Sequence, residues 1–246
     1  MQNDKTLWII GADSDIALCF IKKYASSFGR LILGCRKPQK LESELKDDLP
    51  AEAHIKYIDL TDKSSIDAFI SSSPVPFGVI FFAGHFECAH GEEINTDENI
   101  FRTAEVNYLG PVIFMERISS IMRKEKEGFI ALLSSAGDIR GKYSNRFYVS
   151  SKKAVSTYME GLMQKNEAHS VKTMIFKLGH TDTKMLEKIV PYRRPVFVAS
   201  PEKTADFIFS TVKKNKSVTK YYRPVWKILA KVYSLLPSFI YNRTKI

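Results

Sequence analysis

Apolar runs of strand length alternate along this chain with stretches in which hydrophobic residues return every three to four positions. The pattern predicts strands at 5–10, 30–35, 54–58, 77–83, 128–134 and 171–178, and helices at 14–28, 39–49, 62–71, 97–123 and 145–166. Strands separated by helices argue for right-handed βαβ units and one parallel sheet. Several strands are apolar throughout, Val79-Ile80-Phe81-Phe82 among them, as a sheet covered on both faces requires. The expectation is an α/β fold, a single doubly wound parallel sheet with helices on both faces. No linker or repeat interrupts it. We place one domain over 1–223 and a C-terminal appendage over 224–246.

Composition narrows this only a little. A chain of 246 residues, 44% hydrophobic, suits a single α/β domain with a sizeable core. No apolar run reaches the roughly 18–20 residues of a membrane span, and the first residues lack the charged-then-apolar order of a secretory signal. Cys19, Cys35 and Cys88 are scattered, which suits a reducing cytoplasm. The histidines show no metal-ligand spacing. Charge changes the picture more. The net charge is +10, from 37 basic and 27 acidic residues, and 207–246 holds no Asp or Glu. That stretch carries Lys213, Lys214, Lys216, Lys220, Arg223, Lys227, Lys231, Arg243 and Lys245. A near-neutral body with a basic tail calls for an anionic partner.

Candidate chemistry begins after the first strand. Gly11-Ala12-Asp13-Ser14-Asp15-Ile16-Ala17 opens a helix, where a Rossmann-type sheet sets a pyrophosphate against backbone N–H groups and the helix dipole. Gly11 is present, whereas Asp15 and Ala17 hold the other two glycine positions. The second strand ends Cys35-Arg36-Lys37, without the acid that would bind a ribose 2′-hydroxyl. Arg36 offers a planar fork to a 2′-phosphate and Lys37 a second charge, which selects NADP(H). A solvated basic loop is the alternative.

The acid–base candidate is Tyr148-Val149-Ser150-Ser151-Lys152. Tyr and Lys four apart share a helix face, and a nearby ammonium is expected to lower the phenol pKa toward a usable range. Ser134 and Ser135 end the preceding strand, and Asn107 lies on the earlier long helix. With these motifs in order the chain resembles the short-chain dehydrogenase/reductase family over about 5–205. Asp59-Leu60, Ala83-Gly84 and Lys177-Leu178-Gly179-His180-Thr181-Asp182-Thr183 fall where its further motifs lie.

The resemblance implies Tyr148 as acid/base, Lys152 holding the nicotinamide ribose, and Ser135 bonding the substrate oxygen. It implies Asn107 supporting a proton-relay water, Asp59 and Leu60 flanking adenine, and Thr183 at the carboxamide. Asp13, Ser14, Asp15, Ile16, Ala83 and Gly84 complete the cofactor contacts it implies. The departures are Phe82 for the family's Asn, Leu178 for its Pro, and Asp15 and Ala17 in the phosphate turn. Ser135 matches the family's spacing to the tyrosine, and Ser134 would need a one-residue insertion.

Within the family, the Asp-Ile-Ala turn and Ala136-Gly137-Asp138 running to Ser144-Asn145 resemble bacterial reductases of decaprenyl-phosphate-linked keto-pentoses. That implies a keto-sugar or lipid-linked envelope glycan intermediate as substrate. The function expected is carbonyl–alcohol interconversion on a small molecule. The competing class is a non-catalytic NADP(H)-binding regulator or scaffold that acts through its basic tail. Residues 185–200, with Tyr192, Arg193 and Arg194, are expected to cover the substrate.

The tail predicts an amphipathic helix at 224–236, with Pro224 in its first turn and Pro237 at its end. At thirteen residues it is too short to span a bilayer, but it suits an interfacial position on an anionic membrane. The expected location is the cytoplasm, with the inner face of the membrane as the surface that such a helix would meet. Docking on the domain or on a second subunit of a homo-oligomer is the alternative, and nucleic acid is not expected.

Overall fold

Hydrophobic alternation in the first strand sets the layering. In a computed structural model describing residues 2–46, 48–50, 52–189, 195 and 197–243, β1 (Gln2–Ile10) is an interior strand of the sheet. Leu7 and Ile9 enter one core and Trp8 and Ile10 the other, as the two-residue period of a strand dictates. β2 (Phe28–Cys35) and β4 (Gly78–Phe81) flank β1, and β3 (Ala53–Tyr57) lies beyond β2, with α1 (Asp15–Tyr24), α2 (Pro38–Leu45) and α3 (Lys63–Ser71) as the connections. A two-stranded ribbon, β5 (Cys88–Ala89) and β6 (Glu92–Glu93), precedes α4 (Asp97–Ala104) and α5 (Gly110–Glu125). Then come β7 (Phe129–Ser135), α6 (Arg146–Glu167), β8 (Lys172–Leu178), α7 (Lys184–Glu187), α8 (Pro201–Val212) and β9 (Val218–Tyr221). The chain closes with α9 (Pro224–Leu235) and α10 (Ser238–Tyr241).

The seven-stranded sheet is parallel, in the order β3-β2-β1-β4-β7-β8-β9. Strand order reverses between β1 and β4, so the loops at their carboxyl ends diverge and leave a crevice. The Phe20–Ile21 side of α1 packs with α8 on one face, while Phe69, Phe114 and Val155 from α3, α5 and α6 cover the other. The expected doubly wound fold is present.

Several elements depart from the periodicity. The helix expected at 97–123 is broken by a π-helical stretch, Glu105–Leu109. Pro111 has no N–H to return to the carbonyl four residues back, that of Asn107, so the ladder widens there. Gly110 allows this segment to approach β3's exit: a Cβ on it would stand 2.1 Å from the Leu60 carbonyl oxygen. Neither α8 nor β9 was expected. β9 is a half-buried edge strand whose Lys220 folds back over the Phe207 ring at 4.9 Å and donates to Thr211 Oγ1 at 2.9 Å. Part of the acid-free stretch is therefore sheet and helix. The last correction is minor: α1 ends at Tyr24, and β2 begins at Phe28.

Candidate active site

Gly11 sits at φ +78°, a conformation that side chains disfavour, and donates its N–H to the Gly34 carbonyl at 2.9 Å. A Cβ there would meet the Ala83 nitrogen at 2.5 Å, so the β1 turn and the β4 exit touch backbone to backbone. Ser14 caps α1 by accepting from the Ala17 N–H at 3.2 Å. Asp15, awkward beside a phosphate, is turned away from that role. Its carboxylate accepts from the Lys184 backbone N–H at 2.8 Å and pairs with the Lys184 ammonium at 3.1 Å. The acid thus ties α7 to the phosphate turn, and its charge is met by a lysine. Phe82, where the family has Asn, is buried against Phe20 with ring centroids 5.7 Å apart. Aromatic packing takes the place of a polar side chain there.

These features fit a dinucleotide: a helix N-terminus capped by serine, a glycine turn with no room for a side chain, and a crevice at the strand reversal. Asp13, Ser14, Asp15, Ile16, Ala83, Gly84 and Thr183 all line one cavity of about 540 Å³. Gly11 lies beneath it as the turn's support. Arg36 and Lys37 are exposed at the end of β2, outside the cavity wall. Asp59 and Leu60 are also outside that wall. Asp59 accepts from the Thr61 N–H and hydroxyl, both at 2.9 Å.

The chemistry-bearing side chains meet in the same cavity. Tyr148 is in the first turn of α6, held by a residue the sequence reading missed. Glu93 accepts from the backbone N–H groups of Phe147 and Tyr148 at 2.7 and 2.6 Å, a carboxylate at a helix N-terminus. Burial pushes the Glu93 carboxyl up, against those two hydrogen bonds. Phe86 packs edge-on to the Tyr148 ring at 5.4 Å. One turn on, Lys152 is buried, donates to the Leu133 carbonyl at 3.1 Å, and lies 5.9 Å from the Tyr148 ring centre. Asn107, from the π-helical stretch, is locked by both ends of its amide. It accepts from the His85 N–H at 2.7 Å and donates to the His85 carbonyl at 2.8 Å and Ser151 Oγ at 3.1 Å. It supports the site from behind the cavity wall.

The two serines part company. Ser134 Oγ is buried and engaged with Asp138 at 2.8 Å, Ser156 at 2.7 Å and the Lys152 carbonyl at 3.2 Å. Ser135 Oγ accepts from the Gly137 N–H at 3.0 Å and keeps its own proton for a further partner, since a hydroxyl donates as well as accepts. Asp138 also takes Lys177 as a buried ion pair and Ser156 at 2.7 Å. This network under the site is a second feature that single motifs did not reveal.

One expectation is corrected. Lys152 does not bring the Tyr148 pKa down. Burial first, then the negative charges of Asp138 and Glu93, push the phenol above its ordinary value. Burial also pulls the Lys152 ammonium down to about 8, opposed by Asp138. The physical reason is the low-dielectric wall: it penalises phenolate and ammonium alike, and Lys152 Nζ is engaged with a carbonyl.

The far wall of the cavity comes from the tail. Trp226, Leu229, Ala230, Tyr233 and Tyr241 line the same cavity as Ser135 and Tyr148. Trp226 lies so close to β8's exit that a Cβ on Gly179 would stand 2.1 Å from its ring. At the other end Arg140 donates to the Leu236 carbonyl at 2.5 Å and stacks on Tyr241 at 4.0 Å, and Tyr241 donates to the Gly141 carbonyl at 2.8 Å. The tail is strapped across the cavity at both ends. Gly179 beside Trp226 was not a signal readable without the fold. Tyr192, Arg193 and Arg194 lie outside the described residues.

Comparison with known proteins agrees with this geometry. The model of the short chain dehydrogenase family matches residues 5–193. The chain is 26% identical over 243 residues to a fatty acyl-CoA reductase of Acinetobacter baylyi, covering 95% of this chain and 81% of that one. It is 28% identical over 158 residues to a galactitol 2-dehydrogenase of Agrobacterium fabrum, covering 62% and 61%. A short chain dehydrogenase from Burkholderia cenocepacia solved in complex with NADP superposes with a TM-score of 0.83 at 19% identity, covering 99% and 98%. The chain belongs to the short chain dehydrogenase family and is an oxidoreductase of that family.

Proposed function

We propose that this enzyme uses NADP(H) to reduce a carbonyl that neighbours a hydroxyl on a substrate with an apolar body, the class to which a lipid-linked keto-sugar belongs. The observation that carries the reading is the convergence of Tyr148, Ser135 and Lys152 on the cavity that the phosphate turn opens into. Arg36 and Lys37 at the end of β2, with no carboxylate beside them in the sequence, support NADP(H) over NAD(H). The apolar tail wall supports an apolar body. Asn145 Oδ1, buried without a partner among the described residues and three positions before Tyr148, supports an adjacent substrate hydroxyl as donor.

A bound nicotinamide would supply hydride to the carbonyl carbon. Tyr148, kept protonated by its surroundings, gives its proton to the carbonyl oxygen as charge develops there. Ser135 donates a hydrogen bond to the same oxygen. Ser134 does not fill this role, because its hydroxyl is committed to the Asp138 network. Lys152, 5.9 Å from the Tyr148 ring centre, would hold the nicotinamide ribose and resupply the proton that Tyr148 gives up.

The test is NADPH consumption against hydroxy-ketones carrying apolar chains, alongside cofactor binding. Tyr148→Phe should keep NADPH affinity and lose about 10²–10⁴-fold in turnover. NADPH should bind at least about tenfold more tightly than NADH, roughly 1.4 kcal/mol, and Arg36→Ala should remove most of that gap. A Tyr148→Phe enzyme at parental turnover, or equal affinity for both cofactors, would overturn the respective assignment.

A further inference from the structure

Helix α9 is apolar on two sides. Trp226, Leu229, Ala230 and Tyr233 line the cavity, while Ile228, Val232 and Leu235 point outward at spacings of four and three and are 63%, 51% and 72% exposed. Phe239 on α10 extends the outer row at 68% exposure. An apolar row on a helix is ordinarily covered, yet among the described residues nothing covers this one. The cations decide what can. Lys227 and Lys231 run along one edge of the row, both exposed, and α9 and α10 contain no acid. A second copy meeting this face through a two-fold axis would gather four such lysines into one interface with no acid of α9 or α10 to pair them. An anionic surface with an apolar interior would neutralise them and bury the row.

We infer that the outer face of α9, with α10, seats the protein on the surface of an anionic bilayer, so that the cavity it walls takes its substrate from lipid. At twelve residues α9 is about 18 Å long against roughly 30 Å of hydrocarbon, so it lies in the interface. Among the described residues no helix is long and apolar enough to cross a membrane. The strap holds the element in place for this. Trp226 anchors one end against Gly179, and Arg140 holds the other through Leu236 and Tyr241. Seating stands on the helix alone; delivery of substrate rests on the reading of the cavity given above.

The experiment is co-sedimentation of the full chain with phosphatidylglycerol–phosphatidylcholine vesicles and with phosphatidylcholine vesicles. The parent should partition at least tenfold more strongly to the anionic vesicles and release as salt rises, because lipid charge is screened within about a Debye length. Ile228→Glu with Leu235→Glu should lower partition at least tenfold and leave NADPH binding and thermal midpoint unchanged, since both side chains are exposed and outside the cavity wall. Seating is overturned if the parent ignores anionic vesicles or the double variant still sediments like the parent. It is also overturned if the parent forms an oligomer that the double variant breaks without any vesicle binding, which would make a second copy the cover. Vesicle binding without NADPH binding would uphold seating and refute the cofactor assignment instead.

Discussion

Lys152 is a buried ammonium in a wall that favours neutral groups, and its pKa near 8 lies within the working range of an enzyme. The sign follows from the proton it must hold. Below about 8 the ammonium is charged and able to resupply Tyr148, and above it the proton is lost while Tyr148 stays protonated. Reduction should therefore hold level on the acid side and fall as pH rises through about 8, read as kcat/KM against pH. Lys152→Arg should abolish that limb, because a guanidinium does not titrate in this range. An unchanged limb in that variant would assign the titration to another group. Tyr148 and Lys152 were legible as a pair in the sequence because helix geometry alone brings positions four apart to one face. Their shared electrostatics were not legible, since Glu93 and Asp138 come from distant positions.

At the scale of elements, the Asp138 network joins β7, α6 and β8 beneath the site. Ser134, Ser156 and Lys177 all meet one buried carboxylate. Removing one partner leaves a charge without compensation. Asp138→Leu should cost about 3–5 kcal/mol in urea unfolding, and adding Lys177→Met should recover most of it, because a pair replaced by apolar groups is often neutral. Equal instability of the single and double variants would mean the lost serine hydrogen bonds dominate. Periodicity found α1 and α6 because each has long, regular apolar spacing. It missed β9, four residues at the sheet edge, where half-burial leaves little pattern. The long helix was legible, but its π-helical break needed Pro111 read together with the backbone it displaces.

Across the whole molecule, the tail closes a cavity whose chemistry lies far upstream in the chain. Gly179 is the contact on which that closure depends. Gly179→Val would drive a side chain into Trp226, where even a Cβ stands at 2.1 Å. We expect the tail to become sensitive to limited proteolysis and KM for apolar ketones to rise at least about tenfold, roughly 1.4 kcal/mol of binding. Unchanged proteolysis with unchanged KM would show that the tail does not depend on this packing.

Local rules were enough to determine the alternation of strands and helices as far as β8, the glycine turn, the Tyr148–Lys152 face and the basic tail. Each is a relation among residues within a few positions of one another, governed by helix or strand period and by charge. Tertiary structure alone decided which serine keeps a free donor, which lysine answers Asp15, what caps α6, and that the tail walls the cavity. Those outcomes depend on groups brought together across spans of up to 169 residues, as with Asp15 and Lys184. Burial then sets the energies, because a charge or donor removed from water must find its partner wherever the folded chain supplies one.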